Sequence, residues 1–174
     1  MRIKTAHSLR TGLICLACLL LAACGFQLRG SGGGSALPES WQRMHLVTDS
    51  PNSELSRIVA STFTVSGIEW VSHEEADYLL RLGPERFSQT SLSVNAQARA
   101  AEFDLQMRSD FFVLDGKGKP VMPRTTAAVN KQMENDPQNV VGKAEEVRVL
   151  RAELRRELAT QIMRRISFFA ASTQ

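Results

Sequence analysis

The chain has 174 residues, of which 43% are hydrophobic and 22% charged, with 21 lysines and arginines against 18 aspartates and glutamates. Three of the basic residues, Arg2, Lys4 and Arg10, precede a compact apolar segment from Leu13 to Ala23 in the arrangement of an export signal. The rest of the chain carries 18 basic and 18 acidic residues, so it gives no support for nucleic-acid binding, which requires a basic patch or stripe.

The apolar segment ends at the tetrapeptide Leu21-Ala-Ala-Cys24. The segment is shorter than the about 20 apolar residues that a membrane-spanning helix requires, and no comparable run follows it. The tetrapeptide resembles the lipobox of bacterial lipoproteins, which implies that the Cys24 thiol carries diacylglycerol and that Cys24 begins the mature chain. An ordinary signal peptide that is cut nearby is the alternative. In lipoproteins an aspartate after the cysteine implies retention in the inner membrane, so Gly25 implies the outer membrane.

The remaining cysteines, Cys15 and Cys18, lie inside the export signal. Their position argues against a redox motif, and a single cysteine in the mature chain excludes a disulfide framework. We predict a signal peptide over 1–23, a lipidated Gly/Ser-rich tether over 24–37 and a single domain over 38–170. About 150 residues beyond the signal are enough to build a hydrophobic core.

The first half of the domain predicts one strand and one helix. Apolar and polar residues alternate within Trp41–Thr48, and the turn residues that follow end this strand. From Ser53 the apolar residues take a spacing of three and four, which indicates a helix with Ser53 as its N-cap and Gly67 as its stop. That apolar stripe consists of Leu55, Ile58, Val59, Thr62 and Phe63.

The second half predicts three long antiparallel strands and a long helix. Alternation runs from Tyr78 to Ala96, with Gly83-Pro84 as an interruption, and resumes from Phe103 to Val113. Asp115-Gly116 is a hairpin signal, and a third strand follows from Pro120 to Met133. A helix begins at Asp136-Pro137. Its apolar stripe consists of Val147, Leu150, Leu154, Leu158, Ile162 and Ile166.

These elements predict an α+β two-layer sandwich in the order βαβββα. Two helices cover one face of a four-stranded mixed or antiparallel sheet, and the last three strands form a meander.

The sequence offers little support for catalysis or for a metal or cofactor site. His45 and His73 have no ligands at metal spacing, and no serine lies in a nucleophile-elbow motif. Gly116-Lys-Gly-Lys119 lacks the spacing of a phosphate-binding loop and precedes a strand. The pairs Glu74-Glu75 and Glu145-Glu146 are adjacent in sequence, so their carboxylates do not face each other on a helix. We therefore expect no catalytic residue, no metal and no cofactor.

A set of segments along the chain resembles one family. These segments are Cys24-Gly-Phe-Gln-Leu-Arg29 after the lipobox, the strand, helix and meander, the turn Asn135-Asp-Pro-Gln138, Lys143 with Glu146 at the start of the last helix, and Arg164-Arg165 near its end. Together they resemble the LPS-assembly lipoprotein LptE family over essentially the whole mature chain. The resemblance implies two helices on a four-stranded sheet and no enzymatic activity.

The resemblance also implies partners and a location. Family members lie inside the lumen of the outer-membrane β-barrel LptD, assist its assembly, and take part in placing lipopolysaccharide in the outer leaflet, anchored by lipid on the periplasmic side. A barrel lumen is polar, so a plug requires a polar surface. The sequence supplies polar residues along the predicted strands at Ser88, Gln89, Thr90, Ser91, Ser93, Asn95, Gln97, Thr125, Thr126, Asn130 and Gln132. A tethered periplasmic enzyme or small-molecule carrier, and a purely structural lipoprotein, are the alternatives.

Three basic residues are candidates for contacts with lipopolysaccharide phosphates, since basic side chains bind phosphate through charge-assisted hydrogen bonds. Lys143 lies where the family has a lysine before the last helix. Arg99, at the hairpin between the first two long strands, and Arg124, in the third, match by region only. Ala96 stands where a relative can carry a basic residue, which weakens the expected contact at the strand end. For each candidate, a solvated surface charge is the alternative.

Overall fold

Two helices and a mixed sheet form the computed structural model, which describes residues 37–94, 100–135 and 140–173. Cys24, Asn95, Gln97, Arg99 and the helix start predicted at Asp136-Pro137 lie outside these ranges. A short turn of 3-10 helix at Glu39–Trp41 comes first. The elements that follow are β1 (Arg43–Thr48), α1 (Glu54–Val65), β2 (Glu69–Trp70), β3 (Tyr78–Leu82), β4 (Arg86–Val94), β5 (Ala100–Asp115), β6 (Pro120–Glu134) and α2 (Val140–Ser172).

Strand β5 organises the sheet because it pairs along both of its edges. Strand β6 runs antiparallel to it on one edge, from Glu102↔Glu134 to Leu114↔Pro120. On the other edge, β4 pairs with the first half of β5 and β3 with the second half, both antiparallel. Strand β1 lies beyond β3 and is parallel to it, and β2 pairs in parallel with β1. The predicted mixed sheet and antiparallel meander are confirmed.

The predicted count of four strands is wrong, because the sheet has six strands within the described residues. The first long strand of the meander is divided into β3 and β4 at Gly83-Pro84, where Pro84 has no N–H to donate. The backbone groups of Gly83 at this break both have hydrogen-bond partners. The Gly83 N–H donates to the Asp110 carbonyl oxygen at 2.8 Å, and the Ser109 hydroxyl donates to the Gly83 carbonyl oxygen at 2.9 Å. Strand β2 has only two residues, too few to produce an alternating pattern.

Helix α1 begins and ends where the sequence predicts. The Ser53 hydroxyl oxygen accepts a hydrogen bond from the Ser56 N–H at 3.1 Å, which satisfies one of the donors left free at a helix start. Gly67 follows the helix with φ +94°, a conformation that costs glycine nothing. Leu55, Val59 and Phe63 are fully or almost fully buried, so the predicted apolar stripe faces the core.

Helix α2 covers the same face of the sheet as α1. Leu154, Leu158, Ile162 and Ile166 have no exposed surface, and they join the core that α1 also enters. From the sheet, the odd-numbered residues of β5 contribute to this core; they are Leu105, Met107, Phe111 and Val113. Each fully buried apolar side chain of this size stabilises the fold by about 1.5–3 kcal/mol. None of the helices in the three described ranges is both long enough and apolar enough to cross a membrane.

The opposite side of the sheet, here called the outer face, consists of the even-numbered residues of β5 and the residues paired with them. Between Asp104 and Asp110 it is polar, with hydrogen bonds that run from strand to strand. Toward β3 it carries apolar side chains, Phe112 and Leu114, with Leu79 opposite Leu114. The Asn130 amide donates to Asp104 at 2.9 Å, and the Thr126 hydroxyl donates to Asp110 at 2.6 Å. Among the described polar residues predicted on the strands, those that are exposed on this face are Ser88, Thr90, Thr126, Asn130 and Gln132; Gln89 and Ser91 are exposed on the other face.

Candidate functional site

The basic residues that the sequence singled out lie in two separate places. Lys143 packs over the ring of Phe103, whereas Arg124 packs over the ring of Phe112. Phe103 and Phe112 are nine residues apart on β5 and point to opposite faces of the sheet. At about 3.3 Å per residue, the two places are separated by about 30 Å along the strand. The structure therefore does not bring Lys143 and Arg124 together, and Arg99 lies outside the described residues.

Lys143 lies in the first turns of α2 and is held from two sides. Its ammonium nitrogen donates to the Asn135 side-chain oxygen at 2.6 Å and lies 4.2 Å from the centre of the Phe103 ring. It lines an open surface depression of about 570 Å³ together with Glu102, Glu134 and Glu146. Three carboxylates around one ammonium make the local charge negative. A phosphate that binds Lys143 here is therefore repelled by the neighbouring carboxylates.

Arg124 belongs to a group of four arginines on the outer face, here called the outer-face arginine cluster: Arg81, Arg86, Arg108 and Arg124. The sheet register brings them together. Arg86 lies directly opposite Arg108, and Arg81 lies opposite Phe112, over whose ring the Arg124 guanidinium is stacked at 5.0 Å. Of these four arginines, only Arg124 is a candidate from the sequence, since the other three become its neighbours through strand pairing.

Asp110 is the acidic residue at the centre of this cluster. It accepts a hydrogen bond from Thr126 and forms an ion pair with Arg86. The Thr126 hydrogen bond first, and then the Arg86 guanidinium, lower the pKa of Asp110 below its usual value. The carboxylate is therefore ionised at neutral pH and is committed to these two partners.

We expect Asp110→Asn to lower the free energy of unfolding at pH 7 by about 1 kcal/mol, since it removes a charge-assisted hydrogen bond. The pKa of Asp110 is lower in the folded chain than in the unfolded chain, where an aspartate has a pKa of about 4. The ionised carboxylate therefore contributes its full stability at pH values above that unfolded-state pKa. That stability disappears as the pH falls through the lowered folded pKa. Urea unfolding from pH 7 to pH 3 measures the difference between the two proteins, which should shrink at the acidic end.

The same experiment on Thr126→Val provides a control, because this change removes the largest cause of the lowered pKa and leaves the carboxylate in place. It should weaken the fold at pH 7 in the same direction. A stability difference between Asp110→Asn and the unchanged chain that stays constant from pH 7 to pH 3 would contradict the role assigned to Asp110.

Two arginines of α2 make contacts that the sequence analysis missed. Arg155 has a side chain only 15% exposed and holds Glu85 through two hydrogen bonds of 2.8 and 2.7 Å, with Glu54 as a further partner. Arg151 stacks on the Phe87 ring at 3.8 Å. Glu85 is 70 residues away in sequence, so no local pattern could have indicated this pair. Both arginines fasten α2 to the segment that begins β4.

The two histidines of the domain make structural contacts. A ring nitrogen of His45 lies 2.8 Å from the Val71 carbonyl oxygen, and the His45 and His73 rings meet edge to face at 5.8 Å. Within the described ranges, no three His, Cys, Asp or Glu residues lie close enough to hold a metal ion. The basic side chains are therefore the candidates for ligand contacts in this part of the chain.

The fold and these surfaces define a class: an α+β domain in which two helices cover one face of a mixed sheet, with arginines grouped on the opposite face. Solved lipoprotein structures have this fold. Lipoprotein B from Nitrosomonas europaea matches with a TM-score of 0.71 and 19% identity, over 85% of this chain and 94% of that one. Rare lipoprotein B from Shewanella oneidensis matches with a TM-score of 0.67 and 20% identity, over 75% of this chain and 98% of that one.

Proteins that are similar in sequence have more specific names than the solved lipoprotein structures. The LPS-assembly lipoprotein LptE of Photorhabdus laumondii is 25% identical over 92% of this chain and 86% of its own length. The protein of the same name from Yersinia pestis is 28% identical over 92% of this chain and 76% of its own length. The family model described as LptE, lipopolysaccharide-assembly, matches residues 41–166. The chain belongs to the LptE lipopolysaccharide-assembly family.

Proposed function

We propose that this protein is an outer-membrane lipoprotein, anchored on the periplasmic side through acylated Cys24, that plugs the LptD β-barrel. In this role it assists assembly of the barrel and insertion of lipopolysaccharide into the outer leaflet, and it binds lipopolysaccharide directly. The observation that carries the proposal is the family match over residues 41–166. The relatives are named as assembly lipoproteins and not as enzymes, which supports a role in binding.

The surface of the domain supports the plug role on physical grounds. A barrel lumen is lined with polar groups and water, so a protein inside it needs a polar surface that can exchange hydrogen bonds with that lining. The outer face offers such groups at Ser88, Thr90, Asn130 and Gln132, all of them exposed. The balance of 18 basic and 18 acidic residues beyond the export signal also avoids strong repulsion by either sign of charge.

Direct lipopolysaccharide binding is proposed through the phosphates of that lipid. Lys143, Arg99 and Arg124 remain the proposed contacts from the sequence. Lys143 has an ammonium with donors beyond the one used on Asn135, and Arg124 has a guanidinium that is stacked on Phe112. The separation of about 30 Å between these two residues along β5 means that they contact different parts of a ligand or different ligand molecules.

An affinity pull-down of the tagged, full-length protein from outer membranes tests the plug role. After washing at high salt, we expect a large β-barrel to remain bound in equal amount, identified by mass spectrometry as LptD. High salt removes partners held only by exposed charges, so the barrel that remains is held by an extensive interface. Recovery of the acylated lipoprotein alone would refute the proposal and would favour a tethered carrier or enzyme.

Charge reversal at Lys143 tests the proposed phosphate contact. Lys143→Glu should weaken binding of lipopolysaccharide to the detergent-solubilised full-length protein by about tenfold, which corresponds to one charge-assisted hydrogen bond. Lys117→Glu makes the same change on the exposed β5–β6 turn and should leave binding unchanged. If Lys143→Glu and Lys117→Glu bind lipopolysaccharide with the same affinity, Lys143 contacts only Asn135 and Phe103 and does not bind the lipid.

A further inference from the structure

A small cleft opens on the outer face at the break between β3 and β4. Its volume is about 150 Å³, and its polar lining consists of Thr48, Asp49, Arg81, Asp110 and Arg124, with Phe112 among the apolar groups. The cleft exists because β3 stops at Leu82 and Gly83-Pro84 leads the chain into β4. About five molecules of liquid water occupy this volume, whereas binding sites for drug-sized ligands have volumes of about 300–1,000 Å³. The cleft therefore suits one small group of a ligand.

Two guanidinium groups in the cleft are available to a ligand. Arg81 is exposed, and neither its guanidinium nor that of Arg124 forms a hydrogen bond or ion pair with a described residue. The Arg124 guanidinium carbon lies 5.0 Å from the centre of the Phe112 ring, a cation–π contact that uses none of the N–H donors. A guanidinium presents donors in a planar fork that matches the oxygens of phosphate, so two such forks around one cleft favour that group.

The charge around the cleft favours an anion as well. The lining of the cleft itself has two positive charges, Arg81 and Arg124, and two negative ones, Asp49 and Asp110. Arg86, outside the lining, forms an ion pair with Asp110 and so offsets one of the negative charges. Asp110 is already occupied by Arg86 and Thr126. Arg108 lies directly opposite Arg86 on the neighbouring strand, so it adds a further positive charge on this face of the sheet.

We propose that this cleft is a phosphate-binding site in which Arg81 and Arg124 donate hydrogen bonds to the oxygens of one phosphate monoester. Phe112 forms the apolar support on which the Arg124 plane rests, and Arg86 with Arg108 adds positive charge at the rim. The identification of this phosphate as one carried by lipopolysaccharide rests on the proposed function; the phosphate site itself does not. Of the residues expected from the sequence, only Arg124 belongs to this site.

The site is tested with inorganic phosphate on the acylated, full-length protein in detergent, in a buffer without other oxyanions. The readout is the NMR signal of each arginine Nε–H group. Phosphate should shift the Arg81 and Arg124 signals. In Arg81→Gln/Arg124→Gln, where those two signals are gone, the apparent affinity is followed on the Arg86 signal and should fall about tenfold, since charge-assisted hydrogen bonds are removed from an exposed site. Arg57→Gln, at an exposed arginine of α1, is the matched control and should bind as the unchanged protein does.

A conservative variant keeps the test valid if the glutamine pair unfolds. Arg81→Lys keeps the positive charge but loses the planar fork, so it should weaken phosphate binding less than Arg81→Gln does. Circular dichroism spectra identical to those of the unchanged protein establish that each variant is folded. Phosphate that shifts no signal of Arg81 or Arg124 would refute the site.

Competition by lipopolysaccharide separates this proposal from the proposed function. If intact lipopolysaccharide displaces phosphate and its dephosphorylated form does not, the lipid is the source of the bound group. If phosphate binds the cleft but lipopolysaccharide does not compete, the site is supported and its place in the proposed function is refuted. If phosphate fails to bind while the glutamine pair loses the co-purifying barrel, the arginines contact protein and the phosphate site is refuted.

Discussion

Replacement of Phe111 by alanine should lower the free energy of unfolding by about 3–5 kcal/mol, the range for deleting a large aromatic side chain from a core. Phe111 has no exposed surface and lies where β5 pairs with Leu82 of β3 on one edge and with Thr125 of β6 on the other. The neighbouring strands are fixed by their own hydrogen bonds, so they cannot close the cavity fully. Native domains are stable by only about 5–15 kcal/mol, so this loss is a large part of the total.

Urea unfolding measures this effect, with an unchanged slope as the sign that only stability has changed. Phe168→Ala is the matched control, because Phe168 is 71% exposed and the chemical change is the same. The control should change stability by less than about 0.5 kcal/mol. Similar losses for Phe111→Ala and Phe168→Ala would mean that the core is not where the structure puts it.

Replacement of Cys24 by alanine should abolish lipid attachment, because no other thiol remains beyond the export signal. Two acyl chains hold a protein stably at a membrane, whereas a chain without them has no such anchor. Cells that are grown with radiolabelled palmitate should label the unchanged protein and not the variant. The purified variant should also move from the detergent-rich phase to the aqueous phase in a two-phase separation.

Cys15→Ala makes the same substitution inside the export signal and should leave labelling and phase behaviour as they are. This control separates loss of the acylated thiol from a general effect of removing a cysteine from the N-terminal region. Palmitate labelling that persists in Cys24→Ala would refute the assignment of Cys24 as the lipid attachment residue.

Local patterns in the sequence were sufficient for the elements whose formation depends on nearby residues. The Ser53 cap and the stop at Gly67 act within one helical turn, so α1 could be predicted from its own residues. Alternation along β5 fixed which residues face the core, because successive strand side chains point to opposite faces. The hairpin at Asp115 could be predicted in the same way, since the Asp115 carboxylate accepts from the N–H groups of Lys117 and Lys119.

The binding surfaces depended on contacts between distant parts of the chain. Arg81 and Arg124 come from β3 and β6, and they share a cleft only because both strands pair with β5 on opposite edges. Arg155 finds Glu85 only after α2 has packed on the sheet. The sequence by itself therefore determined helix α1, the apolar stripe of α2 and the core face of the sheet, whereas the anchor at Cys24 stays a prediction. The tertiary structure decided the pairing of β3 and β4 with the two halves of β5, the position of Lys143 among carboxylates and the arginine cluster. Strand pairing and helix packing join residues that no local pattern relates.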